Sequence, residues 1–452
     1  MKISLSEIAQ ATHGRLIASE LELSSFSIDS RQLQRNDLYI AISGEKFDGH
    51  DFIAEAEAKG AAACVLSRDV DTNLPKVKVQ DTRLALAQIA SAWRQKFKLQ
   101  LVGLTGSNGK TTVKEMIASI LAVKGNVLAT QGNLNNEIGV PLSLLSINDE
   151  HEYAVLEMGA NHAGEIAFTG SVAQPDIALI TNASAAHTEG FGTVEGVAAA
   201  KGELIGAVET GGYVVLNGDS DFFNYWKALA EQHKVISFGQ KAGSEVSSSE
   251  VKVVLKGSQF KTTFVLHVGQ SSTPIEMSLV GVHNVNNALA ATAVTTALGC
   301  ELRDIQTGLA AIQPVPGRMQ PLSGLQGEVV INDSYNANPA SMQAALDVLS
   351  DLQLETWVAF GAFAELGEES GRYHDEVGRC MKESGITRLF AIGPDADKTV
   401  KSFGAGAQLY SSQLNMIKAL QQEITAQQIV LVKGSRAQRM ENVVNALVKD
   451  GG

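Results

Sequence analysis

Gly103-Leu104-Thr105-Gly106-Ser107-Asn108-Gly109-Lys110-Thr111-Thr112 joins an apolar run at 99–105 to a stretch where Val113, Met116, Ile117, Ile120 and Leu121 recur at helical spacing. A strand, a glycine-rich turn and an amphipathic helix in that order make a phosphate loop. The glycines let backbone N–H groups turn inward around phosphate oxygens, and the helix start adds its positive end. Residues Thr105, Gly106, Ser107, Asn108, Gly109, Lys110, Thr111 and Thr112 are therefore candidate nucleotide contacts. Lys110 is placed to reach the outer phosphates, and the hydroxyl of Thr111 or Thr112 to hold Mg²⁺. One position departs from the common nucleotide-triphosphatase pattern, because Leu104 stands where a glycine is usual.

Outward from this loop, strand-like runs at 153–158, 177–181 and 213–217 alternate with helical stretches, which is the pattern of a wound α/β sheet. Between 234 and 280 strand-like runs follow one another without helices and predict an antiparallel extension. Before the loop, short strands at 38–42 and 63–66 with a helix near 51–59 form a separate texture. After it, Gln313-Pro314-Val315-Pro316-Gly317-Arg318 is the clearest linker. Beyond the linker, strands at 328–332, 356–360, 388–392 and 428–432 alternate with helices and predict a second open parallel sheet, Rossmann-like. The expected division is an N-terminal α/β domain at 1–81, a central nucleotide-binding domain at 82–313 and a C-terminal domain at 314–452.

Length and composition agree with several domains and narrow the partners. The chain has 452 residues, 44% hydrophobic and 19% charged, as expected of a globular multidomain protein. Its net charge of −13 argues against nucleic acid or an anionic membrane as the main partner. An anionic small molecule remains compatible through local Lys, Arg and Mg²⁺. Cys64, Cys300 and Cys380 are too dispersed for a metal cage or a disulfide framework, which fits a reducing compartment. The first residues lack an apolar signal core, and no apolar run is long enough to span a bilayer. The expectation is a cytoplasmic protein without membrane insertion.

Glu157 ends the run at 153–158. A carboxylate at the C-terminal end of a strand beside a phosphate loop suits Mg²⁺, a hard cation that prefers oxygen. His187 sits in the loop after the next strand, and on spacing alone a loop histidine is more often structural or exposed than a ligand.

These residues resemble the Mur ligases, whose phosphate loop shares the missing first glycine. Further blocks agree in order along nearly the whole chain: Gly132-Asn133-Leu134-Asn135-Asn136-Glu137, Glu157-Met158-Gly159-Ala160, Asn182 with His187, and Ala200-Lys201-Gly202-Glu203. Asn217-Gly218-Asp219, Gly281-Val282-His283-Asn284, Pro316-Gly317-Arg318, Asp333-Ser334-Tyr335-Asn336-Ala337-Asn338-Pro339 and Lys433-Gly434-Ser435-Arg436 complete the set. Within the family the block at 333–339 is similar to that of the members adding D-alanyl-D-alanine to UDP-N-acetylmuramoyl tripeptide. Asp29-Ser30-Arg31 and the segment 44–52 resemble the same members, although read alone they are a turn and a helix cap. One block departs: the family commonly has an aspartate where Ala362 stands, in Gly361-Ala362-Phe363-Ala364-Glu365-Leu366-Gly367, while His374 keeps a histidine at a helix start.

The resemblance implies an ATP-dependent amide-bond ligase with an acyl-phosphate intermediate and two Mg²⁺ ions. It assigns Thr111 and Glu157 to the first metal, and His187 with a carbamylated Lys201 to the second. Without it, Lys201 reads as a helix-surface lysine. His283 and Asn287 match positions near the adenine, Asp333 a ribose contact, and Arg318 a contact to the γ-phosphate. The catalytic set it implies is Lys110, Glu157, His187, Lys201 and Arg318. Ser30, Arg31, Asn133 and Asn135 fall to the UDP-muramoyl substrate, and Asn336, Asn338, Ser341, Lys433, Ser435 and Arg436 to the incoming dipeptide. A monomer whose domains close across the linker is expected. Rival readings are another ligase of the superfamily such as folylpolyglutamate synthetase, a P-loop kinase or GTPase, and a nucleotide-binding regulator without catalysis.

Overall fold

The strand Gln100–Thr105 is buried from Leu101 onward because it lies in the interior of a sheet, with apolar side chains on both faces. The computed structural model describes residues 2–17, 20–44, 47–184, 188–256, 259–350, 352 and 354–449. Tyr153–Glu157 pairs in parallel on one side of Gln100–Thr105 and Ile177–Ile180 on the other. Chain connections thus diverge to either side at this strand, and ligands collect at the carboxyl ends of strands at such a point. Val127–Ala129 closes one edge of the nine-stranded sheet; Tyr213–Asn217 and Lys234–Phe238 extend the other. The helix Lys110–Leu121 buries Val113, Met116, Ile117, Ile120 and Leu121, the face its spacing predicts.

The antiparallel extension begins later than expected. Lys234–Phe238 runs parallel to Tyr213–Asn217, because the helix Phe223–Leu229 between them supplies a crossover. Only Val246–Lys256, Gln259–Val268 and Ser271–Met277, which have no helix between them, pair antiparallel.

The C-terminal sheet has six strands in the order Gln320–Ser323, Val329–Asp333, Gln428–Gly434, Glu355–Gly361, Arg388–Ile392 and Ala407–Tyr410. All pairings are parallel except the first, an antiparallel edge. Its core takes in Phe260 and Val280 of the central part beside Met342 and Leu346, which seats this unit on the antiparallel extension.

The N-terminal unit carries a five-stranded sheet, with Arg15–Ile17, Lys76–Lys78, Ala63–Leu66, Leu38–Ile40 and Phe26–Ser27 in that order. The expected helix near 51–59 is a short 3₁₀ turn, Gly49–Phe52, followed by Ile53–Ala58. The helix Thr82–Arg94, capped by the Asp81 carboxylate, serves two neighbours. Its Ala85, Leu86, Ile89 and Trp93 share one core with Leu38 and Val65 of the first unit and with Val140 and Leu144 of the central one. Trp93 also donates its indole N–H to Ile147 O at 3.0 Å. Among the described residues no helix is long and apolar enough to cross a membrane.

Candidate active site

The loop after Gln100–Thr105 must contain glycine for steric reasons. Gly106 has φ +151°, and a Cβ there would lie 1.9 Å from Thr181 Oγ1. Gly109 has φ +84° and abuts the Asn287 side-chain oxygen, which a Cβ would approach to 2.5 Å. The following strand end pins the loop. Ser107 N–H donates to Asn182 O at 3.0 Å and Asn108 N–H to Asn182 Oδ1 at 2.9 Å. Thr181 Oγ1 and Asn182 Nδ2 both donate to Asn108 O, at 2.8 and 3.0 Å. Lys110 opens the helix and folds its Nζ onto Gly106 O at 2.6 Å. Burial lowers its pKa, with Glu157 opposing and Arg318 adding to the shift. An ammonium with only carbonyl partners is ready for a stronger anionic one.

Glu157, only 3% exposed, ends its strand beside this loop. Its Oε2 accepts from Thr111 Oγ1 and its Oε1 from Asn135 Nδ2, each at 2.9 Å. Its backbone N–H donates to Thr130 Oγ1 at 3.0 Å. Between the two hydroxyls the sequence left open, the one that meets Glu157 is Thr111's. A carboxylate and a hydroxyl side by side at a phosphate loop are hard oxygen donors of the kind Mg²⁺ takes. Asn135, expected on the UDP-muramoyl substrate, is engaged in orienting this carboxylate.

Lys201 lies in the last turn of the helix Val194–Gly202 and is 2% exposed. Its Nζ stands 5.7 Å from the Phe191 ring centroid. Burial, with Lys110 adding to it, lowers its pKa to about 7 against the pull of Glu165 and Glu203. Glu203 is occupied elsewhere: its carboxylate accepts from the N–H groups of Gly164 and Ala167 at 2.7 and 3.0 Å. His187 lies outside the described residues.

The opposite wall comes from beyond the linker. Arg318 Nη2 donates to Thr111 Oγ1 at 2.8 Å, so a residue of the C-terminal side touches the first turn of the phosphate-loop helix. Asn338 Nδ2 donates to Asn108 Oδ1 at 2.9 Å. Asn338 also caps the helix Pro339–Ser350, with Ser341 N–H donating to its Oδ1 at 2.8 Å. Asp333 and Lys433, at the carboxyl ends of paired strands, form a buried ion pair of 2.6 Å, and Asp333 Oδ1 also accepts from Met319 N–H at 3.1 Å. Asn336 Oδ1 accepts from Arg436 N–H at 3.2 Å, and Ser435 Oγ donates to Ala362 O at 2.7 Å.

The two walls enclose a cleft of about 840 Å³. His283 and Asn287, at the start of the helix Val282–Ala297, line it together with Arg318, Asp333, Asn336, Asn338, Ser341, Lys433, Ser435 and Arg436. Burial pushes the His283 pKa down to about 4 against the pull of Asp333, so the ring is neutral. Asn133 is exposed and away from this lining. Ser30 and Arg31 lie in the N-terminal unit, where Ser30 Oγ donates to Glu55 at 3.1 Å and Arg31 pairs with Asp29 at 2.7 Å. Ala362 is buried, and a Cβ built on Gly393 would lie 2.8 Å from its methyl, so the departure falls behind the cleft wall. His374 is buried behind the same turn and accepts from Phe363 N–H at 3.1 Å, which gives it a structural role. Thr181 and Thr130 are singled out by no motif, and Tyr335 stands in the sequence only as a member of the block at 333–339. Asn182 was noted only within a family block, and a polar residue just past a strand end was the signal for both it and Thr181.

Fold and cleft together define a three-domain α/β protein of the nucleotide-binding class, with a phosphate loop that faces a cleft between the central sheet and the C-terminal sheet. Residues 22–94 match the catalytic domain of the Mur ligase family, 104–295 the Mur ligase middle domain, and 317–436 the Mur ligase glutamate ligase domain. The chain belongs to the Mur ligase family. It is 40% identical, over 100% of its length and 99% of the relative's, to UDP-N-acetylmuramoyl-tripeptide–D-alanyl-D-alanine ligase of Escherichia coli (strain K12). Among solved structures it is similar to MurF from Acinetobacter baumannii, with a TM-score of 0.92, 34% identity and 98% of each chain covered. It is also similar to the MurF ligase of Thermotoga maritima in complex with ADP, with a TM-score of 0.83 and 29% identity over 93% of this chain and 96% of that one.

Proposed function

We propose that this chain is an ATP-dependent amide-bond ligase that joins D-alanyl-D-alanine to UDP-N-acetylmuramoyl tripeptide in peptidoglycan precursor synthesis. The observation that carries the reading is Arg318: it crosses from the hinged side to the first turn of the phosphate-loop helix, within one cleft shared by both walls.

In this reading the terminal carboxylate of the tripeptide attacks the γ-phosphorus of ATP, the bond to the ADP oxygen breaks, and an acyl phosphate forms. The dipeptide amine then attacks the acyl carbon, phosphate leaves, and the amine proton is lost. The first step brings two anions together, so neutralising charge is the main catalytic task. Lys110 and Arg318 supply positive charge from opposite walls. Thr111 and Glu157 would hold a Mg²⁺ ion, whose contribution when bound is to offset phosphate charge. His283 and Asn287 fit the base end of the nucleotide, and Asp333 the ribose side. Asn336, Ser341, Lys433, Ser435 and Arg436 would border the dipeptide, while Ser30 and Arg31 would serve the UDP-sugar end. Asn338 and Asn135, which line the cleft, also support Asn108 and Glu157.

Lys201 is read as a carbamylated ligand to a second Mg²⁺, for which His187 would be the other ligand. The neutral amine adds to CO₂, an N–C bond forms and a proton is lost, which turns a cation into a carboxylate-like donor. A lysine whose pKa is near 7 has the neutral amine available for this. The working division is 1–81 for the UDP-muramoyl end, 82–313 for ATP and 314–452 for the dipeptide, in a cytoplasmic monomer. The free cysteines Cys64, Cys300 and Cys380 suit that compartment.

The test is phosphate release from ATP with UDP-muramoyl tripeptide, with and without D-alanyl-D-alanine. Release that requires both substrates, with the UDP-muramoyl pentapeptide seen by mass spectrometry, is expected. Turnover only with another amine or with a folate would move the substrate; ATP binding without turnover on any acceptor would overturn the enzyme reading.

A further inference from the structure

Tyr335 lies just past the strand Val329–Asp333, in the turn that faces the phosphate loop. Its ring is not in the core; it is partly exposed to the cleft. The Arg318 guanidinium carbon lies 4.4 Å from the ring centroid, and that of Arg436 lies 5.9 Å from it. The backbone holds ring and arginine together as well. Tyr335 N–H donates to Gly317 O at 3.1 Å. Gly317 has φ +75°, and a Cβ on it would come within 3.2 Å of Tyr335 Cβ, so the linker lies close against the tyrosine.

An arginine beside a linker has a long stem and many rotamers, and fixing its head at one point is entropically unfavourable. A flat aromatic face under the guanidinium restricts it without taking up any of its N–H donors. That leaves Nη2 free to donate to Thr111 Oγ1 at 2.8 Å, at the helix turn where the outer phosphates of a nucleotide would rest. The attraction of the ring face for the guanidinium does not need the tyrosine hydroxyl.

We propose that Tyr335 is a positioning residue whose ring face aims Arg318 at the terminal phosphate, so that the cleft prefers a nucleoside triphosphate to a diphosphate. The inference deepens the ligase reading above and rests on it only for the assignment of Arg318 to that phosphate.

The experiment measures binding, so it stands apart from turnover. Calorimetric titration with Mg²⁺ gives the affinity of the full-length protein for a non-hydrolysable ATP analogue and for ADP. The variants are Tyr335→Phe, Tyr335→Leu, Arg318→Met and the double variant Tyr335→Leu/Arg318→Met. Tyr335→Phe is expected to keep the triphosphate-to-diphosphate preference within about twofold. Tyr335→Leu should lower that preference by about two- to thirtyfold, the ratio equivalent to a cation–π contact of about 0.5–2 kcal/mol. The double variant should fall no further than Arg318→Met. The proposal fails if Tyr335→Leu weakens both nucleotides equally, which would make the ring a base contact or a fold element. It fails too if the two single effects multiply, or if Tyr335→Phe behaves like Tyr335→Leu. Tyr335→Ser provides a second ring-less variant should the leucine variant not fold. A wild-type protein that binds as expected but forms no pentapeptide would sink the ligase reading and leave this inference standing.

Discussion

Lys201 in the central wall and Lys433 in the C-terminal wall are equally hidden, each 2% exposed, yet their surroundings are opposite. Lys433 Nζ meets Asp333 Oδ2 at 2.6 Å and Asn336 O at 3.2 Å, so its charge is compensated inside the sheet edge. Lys201 has an aromatic ring nearby and another ammonium, Lys110, lowering its pKa, while Glu203 is committed to backbone N–H groups. Burying a cation is tolerable when it is paired and hydrogen-bonded; otherwise the neutral form takes over. The difference separates an anchor from a reactive group. Lys433 ties two strand ends and, through Asp333, the backbone at Met319; Lys201, its pKa lowered by burial, is the lysine on which the proposed carbamylation rests.

The comparison breaks most easily at the anchor. Lys433→Met would leave the Asp333 carboxylate buried without its cation, and removing one partner of such a pair costs about 3–5 kcal/mol. Urea unfolding should show that loss. A change of less than about 1 kcal/mol would mean the pair contributes little and would dissolve the contrast with Lys201.

Lys201→Met should do the reverse. With no ion pair to break among the described residues, folding stability is expected to hold or rise, while ligation falls by about a hundredfold, the scale seen when one charge-stabilising group is removed. A carbamate carbon signal from ¹³C-labelled CO₂ should appear in the wild type and vanish in the variant. Stability falling as steeply as in Lys433→Met would show that Lys201 too is an anchor.

A smaller effect, with a definite sign, lies in the pH dependence of that difference. The Lys201 pKa drops from 10.5 to about 7 on folding. Between those values the unfolded chain carries the proton and the folded chain does not, so the lysine's contribution to stability rises with pH. Its unfavourable effect on the native state is complete below pH 7 and fades toward 10.5. In CO₂-depleted buffer, the stability gained by Lys201→Met should therefore be larger at about pH 6.5 than at about pH 9.5. Equal gains at both would mean the amine is not depressed.

What the sequence disclosed follows from how each wall is built. The phosphate loop is a local object: glycines whose Cβ atoms would strike Thr181 or Asn287, a lysine and a helix face all fall within twenty residues. Periodicity and spacing suffice to read it. The C-terminal wall is assembled from pairings such as Asp333 with Lys433 and Asn336 with Arg436, a hundred positions apart in the chain. No local pattern encodes those, and the residues drew attention only through family resemblance. Lys201 shows the limit most sharply, since its helix has no amphipathic signature to reveal that the lysine faces inward. The extension at 234–280 was misread at its start because the short helix Phe223–Leu229 gave a parallel strand where hairpins were expected.

Asn338 joins the two walls, and it offers the finest test of their independence. Its side chain does two jobs: Oδ1 caps the helix Pro339–Ser350, and Nδ2 reaches across the cleft to Asn108 Oδ1 at 2.9 Å. Asn338→Ser separates them, since serine caps a helix about as well as asparagine but is too short to cross. Stability should then stay within about 0.5 kcal/mol. The cross-cleft bond ties the phosphate loop to the opposite wall, and a neutral hydrogen bond is worth about 0.5–1.5 kcal/mol. The apparent KM for ATP is accordingly expected to rise about two- to tenfold with little change in unfolding free energy. If KM stays put, the walls meet through Arg318 alone, and the division into an anchoring side and a reacting side is cleaner than the Asn338–Asn108 bond suggests. If instead stability drops with KM unchanged, the side chain matters only as a cap and belongs wholly to the anchoring wall.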